Sequence, residues 1–179
     1  MRYVAFFRNV NLGQPKSPTK TQLESALVEA GASFASSFRT NGTAVIEADS
    51  GQVAGEIVAR ACQKLLLVCG LEQPAYVCSL EHLADLVAAN PFADVDPDGV
   101  YQFSASFMPA EALASLELPL RSPHGDVEVL RVMSETALSV SRKLMSSPGD
   151  ATPFLEKILR VPVTTRSWNT IVNLVKKYA

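Results

Sequence analysis

An α+β fold laid down twice along the chain is what the sequence predicts, and three observations carry it. Apolar runs and turn signals follow the order β-α-β-β-α-β through the first half of the 179 residues. The same order returns after residue 99. One further amphipathic run is left over at the C-terminus. The class is therefore α+β: two tandem ferredoxin-like (βαββαβ) domains with an extra C-terminal helix, the helices lying on one face of an antiparallel sheet. The boundaries fall at 1–79 for the first domain, 80–99 for a connecting helix and linker, and 100–179 for the second domain with its C-terminal helix. No residue-level repeat accompanies the duplication, so it rests on element order.

Tyr3 to Phe7 is a continuous aromatic and apolar run, which reads as a buried strand. A Pro-containing loop follows, and Thr19 or Thr21 caps the next helix, each with Gln or Glu three residues on. Leu23, Ala26, Leu27 and Ala30 form its apolar stripe, and Gly31 stops it. Phe34 to Thr40 and Thr43 to Ala48 read as strands around Asn41-Gly42, a hairpin signal. Gln52 to Val68 is a long helix with Val53, Ile57, Ala61, Leu65 and Val68 on one face, ended by Gly70. Pro74 to Cys78 reads as a strand. Ser79 caps a connecting helix that stops at Asn90-Pro91, because a residue before Pro is pushed out of helix.

In the second round Tyr101 to Met108 is a strand, and Pro109 opens a helix through Ala112, Leu113 and Leu116. Val127 to Met133 and Ala137 to Ser141 make a strand pair. Thr152 caps a helix through Phe154, Leu155, Ile158 and Leu159, and Val161 to Thr164 is the last strand. Ser167 is the expected N-cap of the final helix, with Trp168 its first residue.

Composition bounds the function. The net charge of −2 lacks the broad cationic field of non-specific nucleic-acid binders, so nucleic acid is not the expected partner. Nearly half of the chain is apolar, enough for a packed core, yet no run is long enough to cross a membrane. No signal peptide opens the chain, because Arg8 and Asn9 interrupt the first apolar run. A cytoplasmic protein is expected. The three cysteines, Cys62, Cys69 and Cys78, fit no zinc spacing and read as buried thiols.

Asp94-Val95-Asp96-Pro97-Asp98-Gly99 resembles the first half of a calcium loop, but the twelfth position would be Ala105 where a Glu is needed. A solvated acidic linker is the better account, and no metal or cofactor is expected. His82 and His124 have no Ser or Cys at a triad-like spacing, and no Walker sequence, G-x-G-x-x-G or nucleophile elbow is present. The catalytic assignment is left unknown.

Three stretches carry a family resemblance. Phe6-Phe7-Arg8-Asn9-Val10-Asn11-Leu12-Gly13-Gln14 is similar to an opening Leu-Leu-Arg-Gly-Ile-Asn-Val-Gly-Gly. Asn41-Gly42-Thr43 stands where the family has Ser-Gly-Asn before an apolar strand. Thr164-Thr165-Arg166-Ser167-Trp168-Asn169-Thr170 is similar to Thr-Thr-Arg-Asn-Trp-Asn-Thr, and Asn90-Pro91-Phe92 matches a further signature. On these residues the chain resembles the bacterial domain of unknown function 1697 family. Asn9 and Gln14 depart from it where the family has glycines, and Ser167 where it has Asn. The resemblance implies a cytosolic bacterial protein of paired α+β domains and implies no established activity.

The heptapeptide is also the candidate site. A strand ending where a helix begins leaves backbone N–H groups that favour anions, and here they meet a guanidinium, an amide and the single Trp. Arg8, Asn11, Thr165, Arg166, Trp168 and Asn169 are the expected ligand contacts, at an inter-domain cleft that takes an anionic small molecule. The loop at Arg8–Gly13 and the hairpin at Asn41–Thr43 are expected at opposite ends of their sheet. Two alternatives stand beside this reading. One is an enzyme acting on a phosphate- or carboxylate-bearing metabolite. The other is an RNA-binding protein, which the plan shared with RNA-recognition domains suggests and the absence of aromatic and basic residues on Thr43–Glu47 opposes. Oligomeric state is left open.

Overall fold

The computed structural model describes residues 1–144 and 146–179. The chain is mixed α+β, with two antiparallel sheets and six helices among the described residues. It divides into two compact units, Met1–Glu81 and His82–Ala179.

The first unit runs β1 (Arg2–Phe7), α1 (Lys20–Glu29), β2 (Phe34–Phe38), β3 (Thr43–Glu47), α2 (Gly51–Cys69) and β4 (Ala75–Ser79). Its sheet order is β2-β3-β1-β4, antiparallel throughout. Alternation along β1 sends Tyr3, Ala5 and Phe7 into a core with Leu23 and Leu27 of α1 and Ile57, Ala61 and Leu65 of α2. Val4 and Phe6, on the opposite face of β1, are buried as well, which is why the run reads as continuously apolar. Thr19 is the cap of α1 and closes a full capping box with Gln22. Ser50 caps α2 through Val53 N, and Gly70 ends it in the left-handed conformation. Val68, expected on the buried stripe of α2, is exposed.

One expectation fails here. The β1–α1 loop and the β2–β3 hairpin lie side by side at one end of the sheet. Antiparallel pairing of β1 with β3 sets Phe6 opposite Thr43, so the end of one strand must meet the start of the other. Phe7 N donates to Gly42 O at 2.8 Å and Leu12 N to Thr40 O at 2.8 Å. Asn9 holds φ 51°, the left-handed region that asparagine tolerates, at a position where the family pattern has glycine.

The helix α3 (Leu80–Ala88) carries the chain from one unit to the next. The second unit continues with β5 (Val100–Phe107), α4 (Ala110–Ala114), β6 (Leu120–Arg121), β7 (Val127–Met133), β8 (Thr136–Arg142), α5 (Ala151–Leu159), β9 (Thr164–Ser167) and α6 (Trp168–Tyr178). Its order is β6-β7-β8-β5-β9, again antiparallel.

Three corrections follow. The two-residue β6 is an edge strand with no periodicity to announce it. Asp150, not Thr152, caps α5, its carboxylate accepting from Thr152 N at 2.9 Å. The last strand is Thr164–Ser167 rather than Val161–Thr164. Pro162 carries no N–H for a ladder, whereas the hydroxyl-rich residues after it pair with Ser104–Phe107 of β5. The core under α5 is formed by Met108, Leu113, Val129, Ala137, Leu155 and Val163.

Candidate functional site

The heptapeptide is half strand and half helix. Ser167 caps α6 as expected, accepting from Thr170 N at 3.3 Å, and its hydroxyl meets Thr170 Oγ1 at 2.9 Å. Along β9 the side chains alternate. Thr165 pairs with Ser106 of β5, and their hydroxyls meet at 2.8 Å. Arg166 points to the other face, beside Ala105. Its Nη1 donates to Thr164 Oγ1 at 2.8 Å and to the Thr165 carbonyl at 3.0 Å, and the residue is only 7 % exposed. Burial pushes its pKa down to about 10, so it stays cationic at neutral pH. Arg166 was expected to face an open cleft together with Asn169; the two separate, with Arg166 buried and Asn169 exposed.

Trp168 is half-buried. Its ring meets Phe92 edge-on at 5.3 Å, and Phe92 in turn packs on Phe103 at 4.6 Å. The Asn90-Pro91-Phe92 signature thus supplies the wall on which the tryptophan rests. Its other side opens on a notch of about 510 Å³ lined by Tyr101, Gln102, Phe103, Ser167, Trp168 and Asn169 among others. The notch exists because the two edges are unequal. β9 leaves the sheet at Ser167, opposite Ser104, while β5 reaches back to Val100. Among the described residues, no strand pairs with that edge of β5 from residue 100 to 103.

A second cleft of about 370 Å³ opens at the start of α5, lined by Tyr101, Gln102, Ser104, Ser141, Asp150 and Thr165 among others. Thr165 therefore belongs to a different cleft from Trp168 and Asn169. Sequence reasoning missed Tyr101, Gln102, Ser104 and Ser141. The signal was present as polar residues at every second position, 102-104-106 and 139-141, but such alternation reads as an ordinary solvent-facing row.

Arg8 and Asn11 lie in the first unit. Arg8 donates to Gln73 Oε1, and its backbone N–H to Pro74 O at 3.0 Å. Asn11 is exposed and its N–H donates to Ser17 Oγ at 3.1 Å. In the acidic linker, Arg131 Nη2 holds both carboxylate oxygens of Asp94 at 2.9 Å, which lowers the Asp94 pKa, and Asp98 N donates to Asp96 Oδ1. No group of three or more potential metal ligands occurs among the described residues. Cys62 has its thiol pKa raised to about 11 by burial, the opposite of what activates a thiol nucleophile, and Cys69 Sγ donates to Leu65 O. No helix among the described residues is long and apolar enough to cross a membrane.

The family of proteins of unknown function DUF1697 matches residues 1–136. The chain belongs to that family. The match ends before the heptapeptide, so the family assignment stands without Thr164–Thr170. The fold is similar to that of the conserved bacterial protein SP0830 from Streptococcus pneumoniae, at a TM-score of 0.66 and 19% identity over 98% of this chain and 97% of the other. No curated protein matches the chain.

Proposed function

We propose that the chain is a binding module for a small anionic molecule, which it takes up in the notch where β5 meets the start of α6. One observation carries the reading. Trp168 and Asn169, from the first turn of α6, line the notch together with Tyr101, Gln102 and Phe103 of the uncovered edge of β5. The first turn of α6 adds the positive end of a helix dipole. Arg166 supports this from behind. It lies one residue before the cap and stays protonated at physiological pH. Tyr101 and Trp168 suit a flat body attached to that anion.

The lining described for the notch holds no carboxylate and no histidine, which favours binding over acid–base catalysis. RNA is disfavoured by β3, whose Thr43–Glu47 offers no aromatic or basic platform. The reading of both units as ferredoxin-like belongs to the same proposal. It is supported by matching strand orders, β2-β3-β1-β4 in one and β7-β8-β5-β9 in the other.

Thermal shift with adenosine monophosphate, citrate, pyruvate and inorganic phosphate tests the reading. At least one anion raises Tm in wild type and fails to do so in Trp168→Ala and Asn169→Ala. If no anion shifts Tm, or the shift survives both substitutions, the notch is not the site.

A further inference from the structure

The sheet of the second unit carries hydroxyls where a helix-covered face normally carries hydrocarbon. Direct cross-strand pairing places Gln102, Ser104, Ser106, Ser139, Ser141 and Thr165 on one face. Ala137 and Val129 share that face and pack against Leu155, so it is the face under α5. Four of the hydroxyls, on Ser104, Ser106, Ser139 and Ser141, belong to residues that are almost wholly buried. Some are answered within the protein. Gln102 Nε2 donates to Ser104 Oγ at 3.0 Å, and Ser106 and Thr165 satisfy one another at 2.8 Å. Ser139 Oγ is buried and has no hydrogen-bond partner among the described residues. It stands across from Ser104 and two residues from Ser141, one step between the cleft floor and the apolar core at Ala137. Ser139 lies beneath the cleft and does not line it; the groups that reach the cleft from this face are those of Gln102, Ser104, Ser141 and Thr165.

We propose that the cleft at the start of α5 is a site for a neutral polyhydroxylated ligand, a single sugar ring or cyclic polyol. Hydroxyl and amide groups both donate and accept, which matches the alternating demand of ring hydroxyls. The lining described for the cleft contains no cation, and the Asp150 carboxylate forms part of its wall, so an anion is not the ligand it suits. Tyr101, 59 % exposed at the rim, offers an aromatic face to the C–H side of a ring. The volume of about 370 Å³ lies at the small end of ligand pockets, which limits the occupant to about one ring.

The wall is fixed in advance. Gly149 N donates to Arg142 O at 3.0 Å, and Arg142 N to Asp126 O at 2.8 Å, tying the turn before α5 to the ends of β7 and β8. A Cβ at Gly149 would stand 2.4 Å from Asp126 O, so that approach requires glycine. This site is distinct from the α6 notch in its floor and in the charge it favours, although Tyr101 and Gln102 border both.

Saturation-transfer NMR with D-glucose, D-galactose, D-ribose and myo-inositol provides the test. At least one ring shows saturable transfer with wild-type protein. Ser104→Ala and Ser141→Ala each weaken it about tenfold, the effect of one lost hydrogen bond. Thr152→Tyr, which fills the cleft from the first turn of α5, abolishes it. Far-UV circular dichroism on each variant shows that the fold is kept. Absence of transfer to all four compounds overturns the inference, and so does binding that survives both Ser141→Ala and Thr152→Tyr. The anion series on the same samples separates the two readings. Sugar binding without any anion shift sinks the notch alone, and the reverse sinks this cleft alone.

Discussion

Substituting Gly42 by alanine tests how the hairpin is fastened to the first strand. Gly42 combines two demands. Its φ of +70° lies in the left-handed region, which costs an L-residue about 1 kcal/mol. Its missing Cβ leaves room for close contact: a Cβ there would stand 2.6 Å from Val10 Cβ, 3.0 Å from Phe7 O and 3.1 Å from Phe7 Cβ. Forcing an atom into so packed a site costs a further ~1–3 kcal/mol. Gly13 is the natural control, since its φ is +81° and nothing lies within 4 Å of where its Cβ would be. Gly13→Ala is expected to cost about 1 kcal/mol, and Gly42→Ala about 3 kcal/mol. Hydrogen exchange of the Ala5 and Ala44 amides, neighbours across β1 and β3, reads both variants in the same unit. Gly42→Ala should speed exchange on the order of a hundredfold, and Gly13→Ala by roughly five- to tenfold. Equal effects in the two variants would refute the reasoning, because the contact with Phe7 and Val10 would then contribute nothing.

Three further outcomes are expected. Ser167→Ala removes the acceptor for Thr170 N and should lower the stability of the second unit by about 1 kcal/mol, seen as a lower urea midpoint in Trp168 fluorescence; an unchanged midpoint would show that the cap is idle. Arg166→Ala takes the donor from Thr164 Oγ1 and the Thr165 carbonyl and empties buried volume, at an expected cost of about 2–4 kcal/mol by the same probe; a loss below about 1 kcal/mol would leave the guanidinium without a structural role. The buried Cys62 thiol keeps its proton to about 11, against 9.0 for an unperturbed thiol, so the native state holds more protons than the unfolded one in that window. Stability therefore falls as pH rises from 9 toward 10, and Cys62→Ala should flatten that slope. Above about 10 the buried Arg166 acts with the opposite sign, because its native pKa is the lower one; a wild-type slope identical to that of Cys62→Ala between 9 and 10 would remove the thiol from the account.

Much of the fold was legible where one rule dominates. The capping box at Thr19, the buried run Tyr3–Phe7 and the Ser167 cap each follow from a local signal that tertiary structure leaves alone, whereas the hairpin turns through four residues, 39–42, rather than through Asn41-Gly42 alone. The failures lie where pairing partners decide. The apolar run Val161–Val163 draws the predicted strand toward it, yet β5 offers its ladder to the hydroxyl-rich Thr164–Ser167. That the loop and hairpin of the first unit share one end depends on the antiparallel β1–β3 pairing, which no local signal in the sequence carries. Arg166 reads as a ligand contact because it stands beside the free N–H groups of a helix start. Its alternation with Thr165 and Ser167, written in the sequence as two hydroxyls flanking a cation, was the clue to its burial on the opposite face.

The strand order has a consequence for synthesis. In each unit the strand made first ends in the middle of the sheet: β1 lies between β3 and β4, and β5 between β8 and β9. Tyr3 must wait for Ser79, and Ser104 for Ser167, before their second edges are paired. A nascent chain can zip β1 to the β2–β3 hairpin early, yet it carries one side of that central strand unpaired until Ala75–Ser79 emerges. The first unit can then close while the second is still being made. The second repeats the wait until Thr164–Ser167 arrives, so the heptapeptide is the last piece of sheet to be laid down and the step that finishes the fold.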